Sequence, residues 1–249
     1  MKKKILLVSN TAWYIYNFRN LLIKDIVKSN LNLVIVTPYS NVYSEKLKSQ
    51  GYKVINWSLK RNSINPLSSI FSIFNLYKIY KKEKPNIVNH FTIKPCIYGT
   101  IISFFIPIKI CVNSITGIGS WYQNRRSSIR LLIYFIDPLL RFIFQKNNVK
   151  FIFQNLNDKN VFIKKKYATA TNSYLIEGSG IDCSYFKPKK KKQAKDKIRI
   201  LFPARLIREK GIKELLQACK SLWSEDYKFD LLIAGEIDEG NNSSLSRIE

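Results

Sequence analysis

The chain has 249 residues, 46% of them hydrophobic, enough for one large domain or two modest ones with a sizeable core. Forty-two Lys and Arg against 17 acidic residues give a formal net charge of +25. A field of that sign attracts polyanions, whether nucleic acid, anionic lipid or phosphorylated substrates. One histidine and four cysteines (Cys96, Cys111, Cys183 and Cys219), no two at CxxC spacing, argue against a zinc site and fit reduced, buried thiols in a cytosolic setting.

In chain order, "MKKKILLVSN" imitates a secretory leader, but its apolar run meets Asn10 and reaches Arg19 without a small-residue cleavage site, so it reads as a first strand. Further strands are "NLVIVT", "YKVINW", "NIVNHF", "IKICVNS", "KFIFQN" and "SYLIEG". Helical patterns lie between them at 18–29, 42–50, 64–82, 95–105, 127–146 and 158–167; in the first, Phe18, Leu22 and Ile26 mark one buried face. The alternation predicts a Rossmann-like α/β fold, a doubly wound parallel sheet with helices on both faces. The longest apolar tract, "CIYGTIISFFIPIKICV", is broken by Pro107 and Lys109 and is too short to span a bilayer. "FKPKKKKQAKDK", with seven lysines, reads as a linker or solvated loop. Beyond it come "IRILFPA", a basic turn, a helix over 211–223 and "FDLLIAGE". The predicted organisation is a first domain over 1–186, a linker over 187–197, and over 198–249 a βαβ unit that either packs as an appendage on the first domain or begins a second one that is incomplete. Two strands and one helix leave a sheet face bare.

Several turns hold candidate chemistry. "SNTAWYIYNFRN" follows the first strand without a glycine, which disfavours a dinucleotide fingerprint. Its Trp13, Tyr14, Asn17 and Arg19 stand where open α/β sheets bind ligands, or form a packed aromatic loop. "NHFTIKPCIYG" carries His90 at a strand's carboxyl end and Lys94 at a helix start; the pair suits a sugar hydroxyl and a negative charge, or His90 is a partly buried histidine satisfied by backbone. Gly117 and Gly119 in "SITGIGSWY" allow close backbone approach to a ligand. In "PARLIREKG", Arg205 and Lys210 flank a turn that closes on a helix opening at Gly211, which suits a diphosphate; the alternative is a solvated basic loop. "SSIRLLIYFIDPLLRFIFQK", with Arg130, Arg141 and Lys146, reads as a core helix, with an anionic membrane surface as the other reading.

"FPARLIREKGIKELLQACKSL" resembles the start of the second domain in glycosyltransferase family 4. "GSGIDCSYFKP" resembles that family's domain junction, with Ser179 in place of an asparagine, and "NHFTIKPCIYGTIIS" its His-x-x-x-Lys region. "LLIAGEIDEGNNSSLS" resembles a subgroup that builds bacterial surface polysaccharides and lipid-linked oligosaccharides. The resemblance implies a GT-B architecture, with the acceptor in the first domain and a nucleotide-sugar donor in the second. It further implies retention of anomeric configuration, no metal and no cofactor beyond the donor substrate. Arg205, Lys210 and Gly211 take the donor-diphosphate role; His90 is the expected catalytic residue; Trp13, Tyr14, Asn17, Arg19, Lys94, Gly117 and Gly119 line the acceptor side. The expected partners are the nucleotide sugar, a lipid-linked saccharide and an anionic membrane surface, with the protein cytoplasmic and peripheral to the inner face of the cell membrane.

The family's Glu…Glu donor motif has no match in this sequence. The expectation is therefore a second domain begun and not finished: a truncated frame, half of a split enzyme whose other chain supplies the rest, or a fragment. By itself such a chain turns over no nucleotide sugar. An inactive remnant stays open, as does a nucleic-acid-binding protein, although no helix-turn-helix spacing, RNP-type sequence or zinc finger supports the latter.

Overall fold

Apolar runs set the sheet. In β1 (Lys4–Ser9) and β2 (Asn32–Thr37), every residue after the first is buried. Strands buried on both faces read as continuous apolar sequence because helices cover them on both sides. The computed structural model describes residues 2–60, 65–118, 127–188, 198–237 and 243–246, with the backbone only over 127–135. The chain divides into two compact units, Met1–Phe186 and Lys187–Glu249.

In the first unit β3 (Lys53–Asn56), β4 (Ile87–Phe91), β5 (Ile110–Ile115), β6 (Val149–Phe153) and β7 (Ser173–Leu175) join β1 and β2. They form one seven-stranded sheet in the order β3-β2-β1-β4-β5-β6-β7, with every pairing parallel. The predicted doubly wound α/β fold is the one observed. Alternate residues of each strand go to opposite faces. Ile5, Leu7, Leu33 and Ile35 pack with α1 (Ala12–Phe18), α2 (Asn20–Lys28) and α3 (Tyr43–Ser49). Leu6, Val8, Val34 and Val36 pack with α4 (Pro66–Glu83), α5 (Ile93–Ile102), α6 (Ser127–Phe144) and α7 (Leu156–Lys164).

The sequence pattern missed α1. The predicted aromatic turn after β1 is a seven-residue helix, capped where the Thr11 hydroxyl accepts from the Tyr14 amide at 3.2 Å. The helix expected over 18–29 begins at Asn20, because Arg19 (φ −123°, ψ 10°) leaves helical geometry between α1 and α2. Helix α4 starts on both of its usual signals: the Asn65 side chain accepts from Leu67 N, and Pro66 occupies the first turn. The core reading of α6 holds in part: Leu140, Ile143 and Phe144 are buried, whereas Leu139 and Phe142 are exposed. The seven-lysine stretch lies outside the described residues from 189 onward.

At the amino edge of the sheet, the Glu83 carboxylate is almost fully buried between Lys4 at 2.9 Å and Lys53 at 2.6 Å. Burial pushes that carboxyl upward, but the two ammonium groups together hold it below its ordinary range.

The second unit pairs β8 (Ile198–Phe202) with β9 (Phe229–Ile233) in parallel and packs α8 (Ile212–Ser224) against them. Ile212, Cys219 and Phe229 are buried, while Ile198, Leu201, Leu232 and Ile233 face solvent.

Packing between α5 and β4 generates a test. Gly99 lies flat against the His90 imidazole, and a Cβ there would overlap the ring. Gly99→Ala is expected to cost roughly 1–3 kcal/mol through overpacking, read as a lower urea midpoint at unchanged m-value. An unchanged midpoint would show that the two elements do not meet this closely.

Candidate functional site

The strand order reverses between β1 and β4, whose carboxyl ends pair at Ser9 and Phe91. From there the chain leaves β1 into α1 on one face and β4 into α5 on the other, opening the crevice where such sheets bind ligands.

Arg19 sits at this switch point. Its guanidinium carbon lies 4.7 Å from the centroid of the Phe91 ring and 5.2 Å from that of Tyr14. Its Nε donates to the Tyr14 hydroxyl at 2.9 Å, and Nη2 donates to the same oxygen. Among the described residues Arg19 forms no ion pair. Its charge is held by aromatic faces and a phenol, which leaves it able to meet an anion. Burial pushes the Tyr14 hydroxyl pKa up, partly offset by the adjacent guanidinium and by a hydrogen bond with Ser179. That bond brings the glycine-bearing turn after β7 to the same edge.

The other predicted residues divide. Trp13 is exposed and packs edge-on against Phe18 at 5.2 Å. The Asn17 amide donates to the Trp13 carbonyl at 2.9 Å, so it serves α1 itself. Lys94 lies in the first turn of α5 and donates to the Lys60 carbonyl at 3.1 Å; partial burial lowers its pKa. A cation there faces the positive end of its own helix, a placement that an anion would relieve. Gly117 has φ +134° with open space where a Cβ would stand, and the next amide, of Ile118, donates to Asp158 at 3.2 Å. Gly119 lies outside the described residues.

His90 does not belong to this site. Strand alternation sends Phe91 to the Arg19 side and His90 into the opposite core, where it has no exposed surface. The Tyr80 hydroxyl lies 2.7 Å from its Nε2, and Asn113 Oδ1 lies 2.8 Å from its Nδ1. An amide oxygen only accepts, so Nδ1 carries the hydrogen and Nε2 accepts from the phenol. The Asn113 amide donates on to Thr100 Oγ1 at 2.9 Å, which donates to the Cys96 carbonyl at 2.6 Å. Every partner is taken and no face is open to a substrate, so the catalytic role expected of His90 is corrected to a structural one.

Sequence reasoning passed over Phe91 and Thr92. Period-two alternation in "NIVNHF" opposes Phe91 to His90 and could have found the first. Thr92 left no sequence signal: it adopts φ 71°, ψ 160°, a region essentially confined to glycine that costs about 1–3 kcal/mol. It sets the entry of α5, with its amide donating to Ser114 O at 3.4 Å.

In the second unit, Arg205 and Lys210 are exposed and follow β8; Lys210 ends a 3-10 turn (Arg208–Lys210), and Gly211 has φ +75° immediately before α8. The Gly211 conformation is one that favours glycine. Glu209 lies close enough to Arg205 and Arg208 for their charge to help lower its carboxyl pKa, behind the larger effect of a hydrogen bond from Ser243. No group of His, Cys, Asp and Glu among the described residues could hold a metal ion.

Residues 4–155 match the family described as "Glycosyl transferase 4-like", and residues 185–248 match "Glycosyl transferases group 1". The chain belongs to the glycosyl transferase 4-like family. It is 26% identical over 168 residues to the capsular polysaccharide biosynthesis glycosyltransferase CapM of Staphylococcus aureus, covering 65% of this chain and 43% of that one. It is 25% identical over 254 aligned residues to the N,N'-diacetylbacillosaminyl-diphospho-undecaprenol alpha-1,3-N-acetylgalactosaminyltransferase of Campylobacter jejuni, covering 97% of this chain and 65% of the relative. It therefore spans less than two thirds of either. Among solved structures, a glycosyltransferase from Rickettsia africae superimposes with a TM-score of 0.66 at 17% identity, over 96% of this chain and 62% of that one. A sucrose-phosphate synthase from Thermosynechococcus elongatus gives 0.67 at 12% identity, over 98% and 65%. The fold is that of GT-B glycosyltransferases.

The buried imidazole makes stability depend on pH. Burial lowers the His90 pKa to about 4 from an ordinary 6.5, partly offset by its hydrogen bond to Asn113. The unfolded chain therefore takes up a proton that the native chain refuses. The stability tied to this group is complete above pH 6.5 and is lost as the pH falls through 4, with about 1.4 kcal/mol gone by pH 5.5. Urea midpoints between pH 7.5 and 5.5 check this. His90→Gln should be less stable overall and lose that slope, since His90 is the only histidine; a wild-type chain with no slope would contradict the neutral, buried assignment.

Proposed function

We propose that this member of the glycosyl transferase 4-like family takes part in moving a sugar from a nucleotide-sugar donor onto a lipid-linked saccharide during surface-polysaccharide synthesis. The observation that carries the reading is the Arg19 guanidinium, held on two aromatic rings at the switch point with no carboxylate against it among the described residues. The names of the relatives support the substrate class: one builds capsular polysaccharide, and the other acts on an undecaprenol-diphosphate-linked sugar.

In this reading Arg19 binds the acceptor's diphosphate through its planar fork, and Lys94 with the amino end of α5 adds positive potential. Trp13 and Phe18 offer apolar surface beside it. The acceptor hydroxyl forms a bond to the donor's anomeric carbon as the bond from that carbon to the nucleoside diphosphate breaks. Arg205, Lys210 and the amino end of α8 after Gly211 meet the charge that grows on the leaving group, which is where electrostatic stabilisation counts most. His90 takes no part in proton transfer. No described helix is long and apolar enough to cross a membrane. In this reading the chain meets the acceptor at the cytoplasmic face of a membrane, a placement supported by the undecaprenol-linked substrate in the relative's name.

Binding of a polyprenyl-diphosphate-linked sugar in detergent micelles tests the acceptor half with the chain as it stands. A hydrogen bond to a charged group contributes about 1.5–3 kcal/mol, so Arg19→Ala should weaken binding roughly 10- to 100-fold with circular dichroism unchanged, and free diphosphate should compete. Equal affinity of variant and wild type would overturn the reading.

A further inference from the structure

Helix α4 turns an apolar and basic face to solvent. Leu67, Ile70, Phe71 and Phe74 recur at i, i+3, i+4 and i+7 with exposures of 75%, 63%, 61% and 54%. Lys78, Lys81 and Lys82 continue the same face and are exposed. At 100° per residue these seven side chains fall within an arc of about 120°. The side chains that α4 buries, Ser72, Leu76, Ile79, Tyr80 and Glu83, lie on the opposite arc. The helix's one acid, Glu83, is thus turned inward onto Lys4 and Lys53, and the outer face carries positive charge only.

We propose that this face of α4 is a docking surface for an anionic lipid bilayer. A contiguous run of large exposed apolar groups marks an interaction site. Charge complementarity selects the occupant: a helix with apolar groups and lysines on one face, in a chain of net charge +25, has the composition of helices that lie in an anionic membrane surface. The Lys78 ammonium rests 4.5 Å from the centroid of the Phe74 ring, at the border between the apolar and basic halves, where lipid headgroups would meet it. The apolar half is the amino-terminal one, and in a parallel sheet with crossover helices that half lies toward the carboxyl edges of the strands. An open pocket of about 490 Å³ lies beside it, lined in part by Trp57, Leu59, Lys60 and Phe71. Lys60 is also the residue whose carbonyl holds Lys94. The docked bilayer would therefore lie next to the candidate acceptor site. The inference takes its purpose from the lipid-linked acceptor reading, but its test does not depend on that reading.

Co-sedimentation with acceptor-free vesicles decides it. The wild-type chain should bind vesicles of phosphatidylcholine with roughly 30% phosphatidylglycerol at least about tenfold more tightly than phosphatidylcholine alone, and more weakly as salt rises. Phe71→Ser with Phe74→Ser should weaken that binding about tenfold or more at an unchanged urea midpoint, and Lys78→Glu with Lys81→Glu should abolish the preference for anionic lipid. Equal binding to both vesicles overturns the proposal, as does a serine double variant that binds like wild type. A wild-type dimer that the serine substitutions dissociate would assign the face to a second copy of the chain, and duplex DNA binding lost with the same substitutions would assign it to nucleic acid; either result overturns it too. A chain that docks on these vesicles yet fails to bind a polyprenyl-diphosphate-linked sugar in micelles leaves docking intact and sinks the acceptor reading alone.

Discussion

A neutral imidazole at the middle of the sheet is the constraint on which the first unit depends. His90 joins α4 through Tyr80, β5 through Asn113 and, through Asn113, α5 by way of Thr100. The Asn113 oxygen as acceptor puts a hydrogen on Nδ1, and full burial, which lowers the pKa to about 4, keeps Nε2 bare to accept from the Tyr80 hydroxyl. Gly99 completes the arrangement by leaving no side chain between α5 and the ring. The same register that buries His90 turns Phe91 to the other face, where its ring supports Arg19. One strand end thus fixes both the core and the floor of the candidate site.

Charge is distributed by the same economy. With 42 cations and 17 acids, most basic groups cannot find a carboxylate, and the acids go where burial or backbone demands them. Glu83 pins the amino edge, and Asp158 holds the Ile118 amide and the Asn155 side chain. At the opposite, carboxyl edge, Arg19 is held instead by rings and a hydroxyl. A carboxylate partner would stabilise the folded state but occupy the guanidinium; the aromatic faces offset its partial desolvation, and the Tyr14 hydroxyl takes only the Nε side of the fork, which leaves the Nη1 edge for a ligand.

The architecture was legible because the central parallel strands, buried on both faces, cannot avoid continuous apolar runs, and the nine strands among the described residues all lie within segments whose pattern reads as strand. Helix α1 was not legible: seven residues are too few for a helical period to stand out, and its only boundary sign is Thr11. The site was half legible. Position at a strand's carboxyl end found Arg19, Tyr14 and Lys94, but the same rule placed His90 there, because it says which end of a strand is near the ligand and not which face. Alternation supplies the face, and it separates His90 from Phe91. The Thr92 backbone had no sequence signal, since its conformation is imposed by the Ser114 carbonyl and the entry of α5 rather than by threonine.

That imposed conformation bears on how the edge works. Thr92 stands between Phe91, which supports one cation, and the first turn of α5, which carries another in Lys94. Both cations and the amino end of that helix contribute potential of one sign at the carboxyl ends of β1 and β4, at a cost in repulsion and backbone strain. Without an anion, core packing beneath must offset that cost. A bound diphosphate would reverse the sign of the repulsion while leaving the strain, so the edge is prepared for the charge before the ligand arrives, and little of the binding energy is spent on rearranging it.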